Sequence, residues 1–204
     1  RKQGIEGCEV SEKRAIGFDA AEVRFSDDEK RTLEGYAAVF DSVYSLGRFD
    51  EVIKPGAFSR AISEGQDVRA LIDHDPARII GRTKNNTLEI REDSRGLHTR
   101  IPLPDTQEAR DLSTLIERGD LDAMSFGFTV QSDRWEKVED RNVRYIEDVD
   151  LFDCSVVAYP ANPDTTVALR SMPDDMADED DLRRRKFRIM LHGLRVNTWK
   201  NPES

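Results

Sequence analysis

The sequence has few cysteines and histidines, the residues from which disulfide frameworks and most zinc sites are built. Two cysteines and three histidines occur among 204 residues. Cys8 and Cys154 lie far apart, and no paired cysteine spacing typical of a zinc site is present. Cys154 falls in the apolar run LFDCSVVAY, so we expect a buried free thiol in a reducing compartment. The chain is expected to need no metal and no cofactor.

Long apolar runs and an excess of basic charge are also missing. No stretch approaches the roughly 20 apolar residues that cross a bilayer, and RKQGIEGCEV lacks the apolar segment of a signal peptide. The chain has 31 lysines and arginines against 41 aspartates and glutamates, a net charge of −10. Because neutralising phosphates requires a basic surface, this balance argues against nucleic-acid binding. We expect a cytosolic protein with no membrane and no nucleic-acid partner.

The composition that is present supports one globular domain with polar appendages. Hydrophobic residues make up 37% of the chain, which is enough for a sizeable core. Residues 1–18 show no clear periodicity and are predicted to form a flexible lead-in to a domain over residues 19–172. Beyond this domain, an acidic segment, PDDMADEDD, precedes the basic LRRRKFRIMLHGLR. Residues 173–204 are therefore predicted to be an acidic linker and a basic helical tail.

Strand patterns dominate the predicted domain. Two segments have helical spacing, the short KPGAFSRAISEG and the longer TQEARDLSTLIERGD, and each ends at a glycine. Alternating or β-rich runs fill most of the remainder: AEVRF, RTLEGYAAVFDS, VRALIDHDP, NNTLEIRED, SRGLHTRIPL, LDAMSFGFTVQSD, RWEKVED and VRYIEDVDLFDCSVVAY. Many strands with few helices predict a mainly β (α+β) fold, a closed or nearly closed antiparallel β-barrel wrapped by a few helices.

One serine, Ser125, lies inside the apolar run MSFGF. A buried hydroxyl needs a partner, so Ser125 is either a core hydroxyl or a nucleophile. Of the histidines, His192 lies in the tail and His98 alternates with Arg100 on an expected solvent face. His74 lies at the C-terminal end of a predicted strand, where catalytic groups are often found. Ser125 and His74 fit nucleophilic catalysis, although such residues also occur together by chance.

A third group is needed to orient the imidazole, and the segment RYIEDVDL supplies several carboxylates. Strand geometry sends Asp148 and Asp150 to one face and Glu147 to the other. Spacing alone leaves the choice among them open.

Five motifs together carry a resemblance to a known family. In this order, GYAAVFDS, VIKPGAF, LIDHDPARIIGRT, RGDLDAMSFGF and DLFDCSVVAYPANPDT resemble the prohead (capsid maturation) proteases of tailed bacteriophages, over about residues 20–169. The resemblance implies a serine endopeptidase related in fold to the herpesvirus assemblins. It also implies cleavage of scaffold, or of the scaffolding segment of the major capsid protein, and commonly of the protease itself. The expected location is the immature capsid (prohead) in the host-cell cytoplasm, and a homo-oligomer is expected.

The resemblance also implies roles for individual residues. It makes His74 of the HDP motif the general base and Ser125 of the SFGF motif the nucleophile. The pattern of an acid followed by Val-x-Leu falls on Asp148, which is predicted to complete the triad, with Glu147, Asp150 and Asp153 as rivals. Comparison with the assemblins suggests backbone N–H groups near residues 155–157 as oxyanion donors.

Several alternatives remain open at this point. One alternative to a protease is a non-catalytic capsid-assembly or scaffold-like barrel. Another is a small β-barrel binding module in which Ser125 is a core hydroxyl. Gly127 is interpreted as a site of close strand packing, and Gly81 with Arg82 as a structural turn rather than a substrate rim. The tail is interpreted as a solvated segment, an encapsidation signal or a self-cleavage region.

Overall fold

The structure, a computed structural model, describes residues 11–17, 24–25 and 31–158. The predicted tail at residues 173–204, with His192, lies outside the described residues, as does Cys8. No helix in the described part is long and apolar enough to cross a membrane.

Strands make up most of the described fold, as predicted. They are β1 (Glu12–Gly17), β2 (Arg24–Phe25), β3 (Thr32–Val39), β4 (Val43–Ser45), β5 (Phe49–Ile53), β6 (Arg69–Ile72), β7 (Asp75–Arg82), β8 (Glu89–Glu92), β9 (Gly96–Pro102), β10 (Ala123–Val138) and β11 (Arg141–Val157). The helices are α1 (Ser59–Ser63), α2 (Gln107–Glu117) and a 3₁₀ turn (Thr83–Asn85). Both predicted helices are confirmed.

Helix α2 shows why its sequence predicted it well. The Thr106 hydroxyl accepts a hydrogen bond from the Ala109 N–H, which caps the first turn. After the helix, Gly119 adopts a φ of 77°, the left-handed conformation in which glycine commonly ends a helix. These signals are local, so they can be read from the sequence.

The strands form two sheets. The larger has the order β1-β10-β11-β5-β4, with β6 paired to β11 and β7 paired to β6, and the smaller has the order β2-β3-β9-β8. Neither sheet closes on itself within the described residues, so the predicted barrel is not confirmed. The predicted antiparallel arrangement is found in part, because β5 and β6 both pair with β11 in parallel. Periodicity reports that a segment is a strand but not which way its neighbour runs.

An aromatic row forms part of the core beneath β10. Its rings belong to Phe40, Phe58, Phe126 and Phe128, and successive ring centroids lie 6.1, 5.5 and 4.8 Å apart. Phe58, Phe126 and Phe128 are fully buried, and burying each such side chain contributes roughly 1.5–3 kcal/mol. Since side chains alternate along a strand, this packing turns the opposite face of β10, which carries Ser125, away from the aromatic core.

The predicted lead-in contains a strand. Residues 12–17 form β1, which pairs antiparallel with β10 along its whole length, so these six residues are part of the larger sheet. The face of β1 that is buried carries Glu12 and Arg14, which are 5% and 2% exposed. Sequence reading searches for an apolar face. A strand that buries charges is therefore missed.

Candidate active site

Ser125 is fully buried on strand β10. Its neighbours in register are Ser155 on β11 and Ala15 on β1. Both edges of β10 are therefore paired at this position. The hydroxyl lies on the face of the sheet opposite Met124 and Phe126, which pack into the core.

His74 is held by a two-residue turn between β6 and β7. Ile72 pairs with Asp75, and the two intervening residues, Asp73 and His74, have φ values of 52° and 56°. Positive φ at both central residues is the mark of a type I′ hairpin turn, and aspartate and histidine adopt it more readily than most residues. The Asp73 carboxylate accepts a hydrogen bond from the Ala158 N–H at 3.0 Å, which ties the turn to the end of β11. The turn costs about 1–3 kcal/mol per strained residue and fixes the imidazole in place.

The imidazole of His74 joins a serine to a carboxylate. Its Nε2 lies 2.7 Å from the Ser125 Oγ, and its Nδ1 lies 2.6 Å from the Asp153 Oδ1. A proton on Nδ1 satisfies the carboxylate and leaves Nε2 free to accept the hydrogen bond of the serine hydroxyl. This arrangement allows Nε2 to remove the hydroxyl proton as Oγ attacks an electrophile.

Gly127 makes room for the carboxylate. Gly127 lies directly opposite Asp153 across the β10/β11 ladder. A Cβ at Gly127 would lie 2.3 Å from the Asp153 Oδ2, closer than atoms can approach. The close packing predicted at this glycine is thus a contact with a side chain of the site.

Ser155 is a second hydroxyl in the same chain of contacts, and sequence analysis missed its side chain. Its Oγ donates to the Asp153 Oδ1 at 2.6 Å and lies 3.2 Å from the His74 Nδ1. Ser155 is fully buried, so its hydroxyl has no access to water as a competing partner. The spacing of Asp153 and Ser155 in DCS was a usable signal, because alternate residues of a strand share a face.

The structure does not bring Asp148 to His74. Both carboxylate oxygens of Asp148 accept from the Arg60 Nε, at 2.8 and 3.1 Å. Asp150 accepts hydrogen bonds from Arg60, at 2.7 Å, and from Gln66 and Gln131. These hydrogen bonds lower the pKa of the Asp150 carboxyl group, and the one from Arg60 has the largest effect. Glu147 pairs with Arg134 at 2.9 Å. Of the four acids considered, Asp153 is the one beside the imidazole.

A bulge in β11 sets the face of the sheet on which Asp153 lies. Leu151 pairs with Phe128 and Asp153 pairs with Gly127, so Phe152 is an extra residue on β11. Such a bulge reverses the alternation of side chains beyond it. Counting faces from Asp148 therefore gives the wrong face for Asp153.

The predicted oxyanion donors gain no support from the described ladders. Ser155 and Val156 pair with β10 on one edge of β11 and with β6 on the other. Backbone N–H groups of a strand paired on both edges are used within the sheet. The donors near residues 155–157 stay a prediction.

The remaining residues singled out in the sequence lie elsewhere in the fold. His98 on β9 packs edge-on against Tyr36, with 5.2 Å between the two ring centroids. Burial is the main cause that lowers the pKa of His98. Gly81 and Arg82 belong to β7 rather than to a turn, and the Arg82 Nε donates to Asp67 at 2.6 Å.

Cys154 lies on β11, next to Asp153. Cys154 is a buried free thiol, as predicted, and burial raises its pKa. Among the described residues, no cluster of three or more histidine, cysteine or acidic side chains is arranged to hold a metal ion.

Comparison with known proteins gives three consistent findings. A sequence model of the caudovirus prohead serine protease family matches residues 19–178. The prohead protease of Enterobacteria phage HK97 is 28% identical over 168 residues, covering 79% of this chain and 70% of that protein. The solved structure of the bacteriophage T4 capsid assembly protease, gp21, superposes with a TM-score of 0.50 at 10% identity, covering 74% of this chain and 98% of that one. At this identity, the comparison with the T4 structure shows a similarity of fold alone.

Proposed function

Since the chain belongs to the caudovirus prohead serine protease family, we propose that it acts as a serine endopeptidase through Ser125, His74 and Asp153. Its role is that of a capsid maturation protease. The observation that supports these residues is the chain of hydrogen bonds from the Ser125 Oγ through the imidazole of His74 to the Asp153 carboxylate.

Each of these three side chains has one physical task in the proposed reaction. The Ser125 Oγ attacks the scissile carbonyl while the His74 Nε2 takes its proton, and the imidazolium then protonates the leaving amine. Water hydrolyses the resulting acyl-enzyme with His74 again acting as base. Asp153 holds the proton on Nδ1 and stabilises the imidazolium. Asp153 thus takes the role that the sequence predicted for Asp148, whose carboxylate pairs with Arg60.

Ser155 is proposed as a positioning residue for Asp153. Its hydroxyl donates to the carboxylate oxygen that faces His74, which fixes the rotamer of the acid. Hydrogen bonds to charged groups contribute about 1.5–3 kcal/mol, so the contact is strong enough to affect the placement of the acid.

The substrate is proposed to be scaffold or the scaffolding segment of the major capsid protein, inside the immature capsid. The relatives are named as a prohead protease and a capsid assembly protease, which supports capsid or scaffold proteins as partners. We also propose cleavage of the chain by itself and assembly into a homo-oligomer. The tail at residues 173–204 is a candidate segment for self-cleavage or encapsidation.

The two sheets are proposed to complete an assemblin-like barrel. Strands β1 and β10 of the larger sheet contact β3 of the smaller one, which supports this arrangement. An experimental structure of the whole chain in which both sheets stay open would contradict it.

The test is processing of the cognate capsid precursor, co-expressed with the wild-type chain or with single variants. Ser125→Ala and His74→Gln should abolish processing while the proteins stay folded, and mass spectrometry of cut ends should show new termini with the wild type only. The loss expected on removing either group is on the order of 10⁴-fold to 10⁶-fold. Processing that persists in Ser125→Ala would remove the proposed nucleophile and favour the non-catalytic alternative.

A further inference from the structure

The position next to the strand that carries Ser125 is filled by another strand of the same chain, β1. Strand β1 runs antiparallel to β10 with Ala15 opposite Ser125, while β11 holds the other edge of β10. An extended peptide binds most simply by adding a strand to a free sheet edge. At Ser125 no edge of β10 is free, and the serine has no exposed surface.

Strand β1 lies outside the segment that matches the family. The match begins at residue 19, whereas β1 spans Glu12–Gly17. The nucleophile strand, the histidine turn and the acid on β11 all lie inside the matched residues. The strand that closes the edge of β10 therefore lies outside the matched segment, whereas the residues of the proposed chemistry lie inside it.

Charged side chains hold β1 in place. The Arg14 Nε donates to Glu51 at 2.6 Å, and the Arg144 Nη1 donates to Glu12 at 3.0 Å. Arg14 and Glu12 also pair with each other at 2.6 Å. Desolvation offsets part of the attraction within such buried pairs, so the net contribution of the cluster to the pairing of β1 with β10 is modest.

The cluster stays paired without β1. Arg144 also donates to Glu51 at 3.2 Å and to Asp133 at 2.5 Å. Glu12 and Arg14 together carry no net charge, so their departure leaves the charge balance of the site unchanged. When β1 leaves, Arg144 therefore still pairs with both Glu51 and Asp133.

The side of β1 that shares a face with Ser125 is more exposed than its other side. Lys13 is exposed and Ala15 is half-buried, in contrast to the buried Glu12 and Arg14. Strand alternation places Lys13 and Ala15 on the face of the sheet that carries Ser125. The β1 backbone thus lies where an extended peptide would pass the nucleophile.

We propose that β1 is an exchangeable strand that occupies the peptide-binding edge of β10, and that an extended substrate segment binds by replacing it. The proposal rests on the proposed function, since it takes Ser125 as the nucleophile. The form in which β1 is paired with β10 is then a closed one, and its reactivity is limited by the fraction of molecules in which β1 has left β10.

The experiment measures access to Ser125 with a fluorophosphonate probe, which needs no knowledge of the cleavage site. The serine oxygen bonds to phosphorus, fluoride leaves, and the hydroxyl proton passes through His74 to solvent. In the chain of 204 residues, Arg14→Ala removes the contact of the β1 side chain with Glu51 and should raise the labelling rate about tenfold or more. Arg141→Ala is the matched control, since it also removes an arginine ion pair, with Asp50, but does not touch β1.

A second arm tests whether the edge accepts a peptide. A synthetic peptide with the sequence of residues 11–17, SEKRAIG, should slow labelling of Arg14→Ala back toward the wild-type rate. A scrambled peptide should have no effect. If Arg14→Ala fails to fold, as judged by circular dichroism, the gentler Glu12→Gln with Arg14→Gln variant takes its place.

The outcomes separate the two proposals. Equal labelling rates in the wild type and the loosened variant, with Ser125→Ala unlabelled, would overturn the exchange of β1 and leave the nucleophile intact. Absence of serine labelling in every folded variant would instead count against Ser125 as the nucleophile. Labelling that rises in Arg141→Ala as much as in Arg14→Ala also contradicts the exchange, because that effect would not depend on β1.

Discussion

The two halves of β11 place acids in very different surroundings. Before the bulge at Phe152, the side chains of Asp148 and Asp150 are 30% and 26% exposed, and both are bound by Arg60. After the bulge, the side chain of Asp153 is 13% exposed and is bound by His74 and Ser155. A guanidinium holds a carboxylate without a mobile proton, whereas an imidazole can exchange one. Acids on one strand thus differ in chemistry because their partners differ.

The largest expected effect separates Asp153 from Asp148. Asp153→Asn should lower turnover by about 10⁴-fold, because an amide no longer favours the proton on Nδ1. Asp148→Asn is the matched control and should change turnover less than about fivefold, since a partly exposed ion pair is worth about 0–1 kcal/mol. Steady-state cleavage of the mapped precursor sequence measures both. The reverse ranking would restore Asp148 as the acid.

A methyl group at Gly127 tests the space around the carboxylate. The atom it would meet is the end of the Asp153 side chain, so the side chain can move and stability should fall by less than about 1 kcal/mol. Moving the acid by about 1 Å should nonetheless lower turnover about 100-fold. Thermal unfolding and turnover of Gly127→Ala are compared with those of the same change in an Asp153→Ala background. There the additional loss of turnover should disappear, and its persistence would contradict a contact through Asp153.

The hydroxyl of Ser155 is expected to have a smaller effect. Ser155→Ala should lower kcat about tenfold and leave KM nearly unchanged, because one hydrogen bond to the acid is lost. Ser155→Thr retains the hydroxyl and should recover most of the loss. The split between kcat and KM and the pH profile of kcat distinguish positioning from a packing role. A KM effect that equals the kcat effect would argue for a role in substrate binding.

The smallest effect concerns stability on the other half of β11. Hydrogen bonds from Arg60 lower the pKa of Asp150, so its contribution is present above the unfolded pKa of about 3.9 and is lost as pH falls through the folded pKa. Asp150→Asn should cost up to about 1 kcal/mol at pH 7, and the difference from the wild type should vanish in acid. Urea unfolding at several pH values measures this. A difference that does not depend on pH would show that the ion pair is not its source.

Local signals predicted the elements but not how they pair. Helical spacing and the stop at Gly119 predicted α2, and the strand pattern predicted the strand that carries Ser125 and the strand that ends before His74. The direction of β5 and β6 beside β11 depends on contacts between distant segments, which periodicity does not carry. The bulge at Phe152 likewise shows only when β11 is aligned with β10.

By itself, the sequence determined a mainly β fold, a serine within an apolar strand, a histidine at a strand end and a family of proteases. Each of these depends on residue types and on spacing over a few positions. The tertiary structure alone decided that Asp153 is the acid beside His74, because a bulge changes which face a side chain occupies. It also decided that β1 belongs to the fold, because Glu12 and Arg14 become acceptable in the interior only when Glu51 and Arg144 are brought to them.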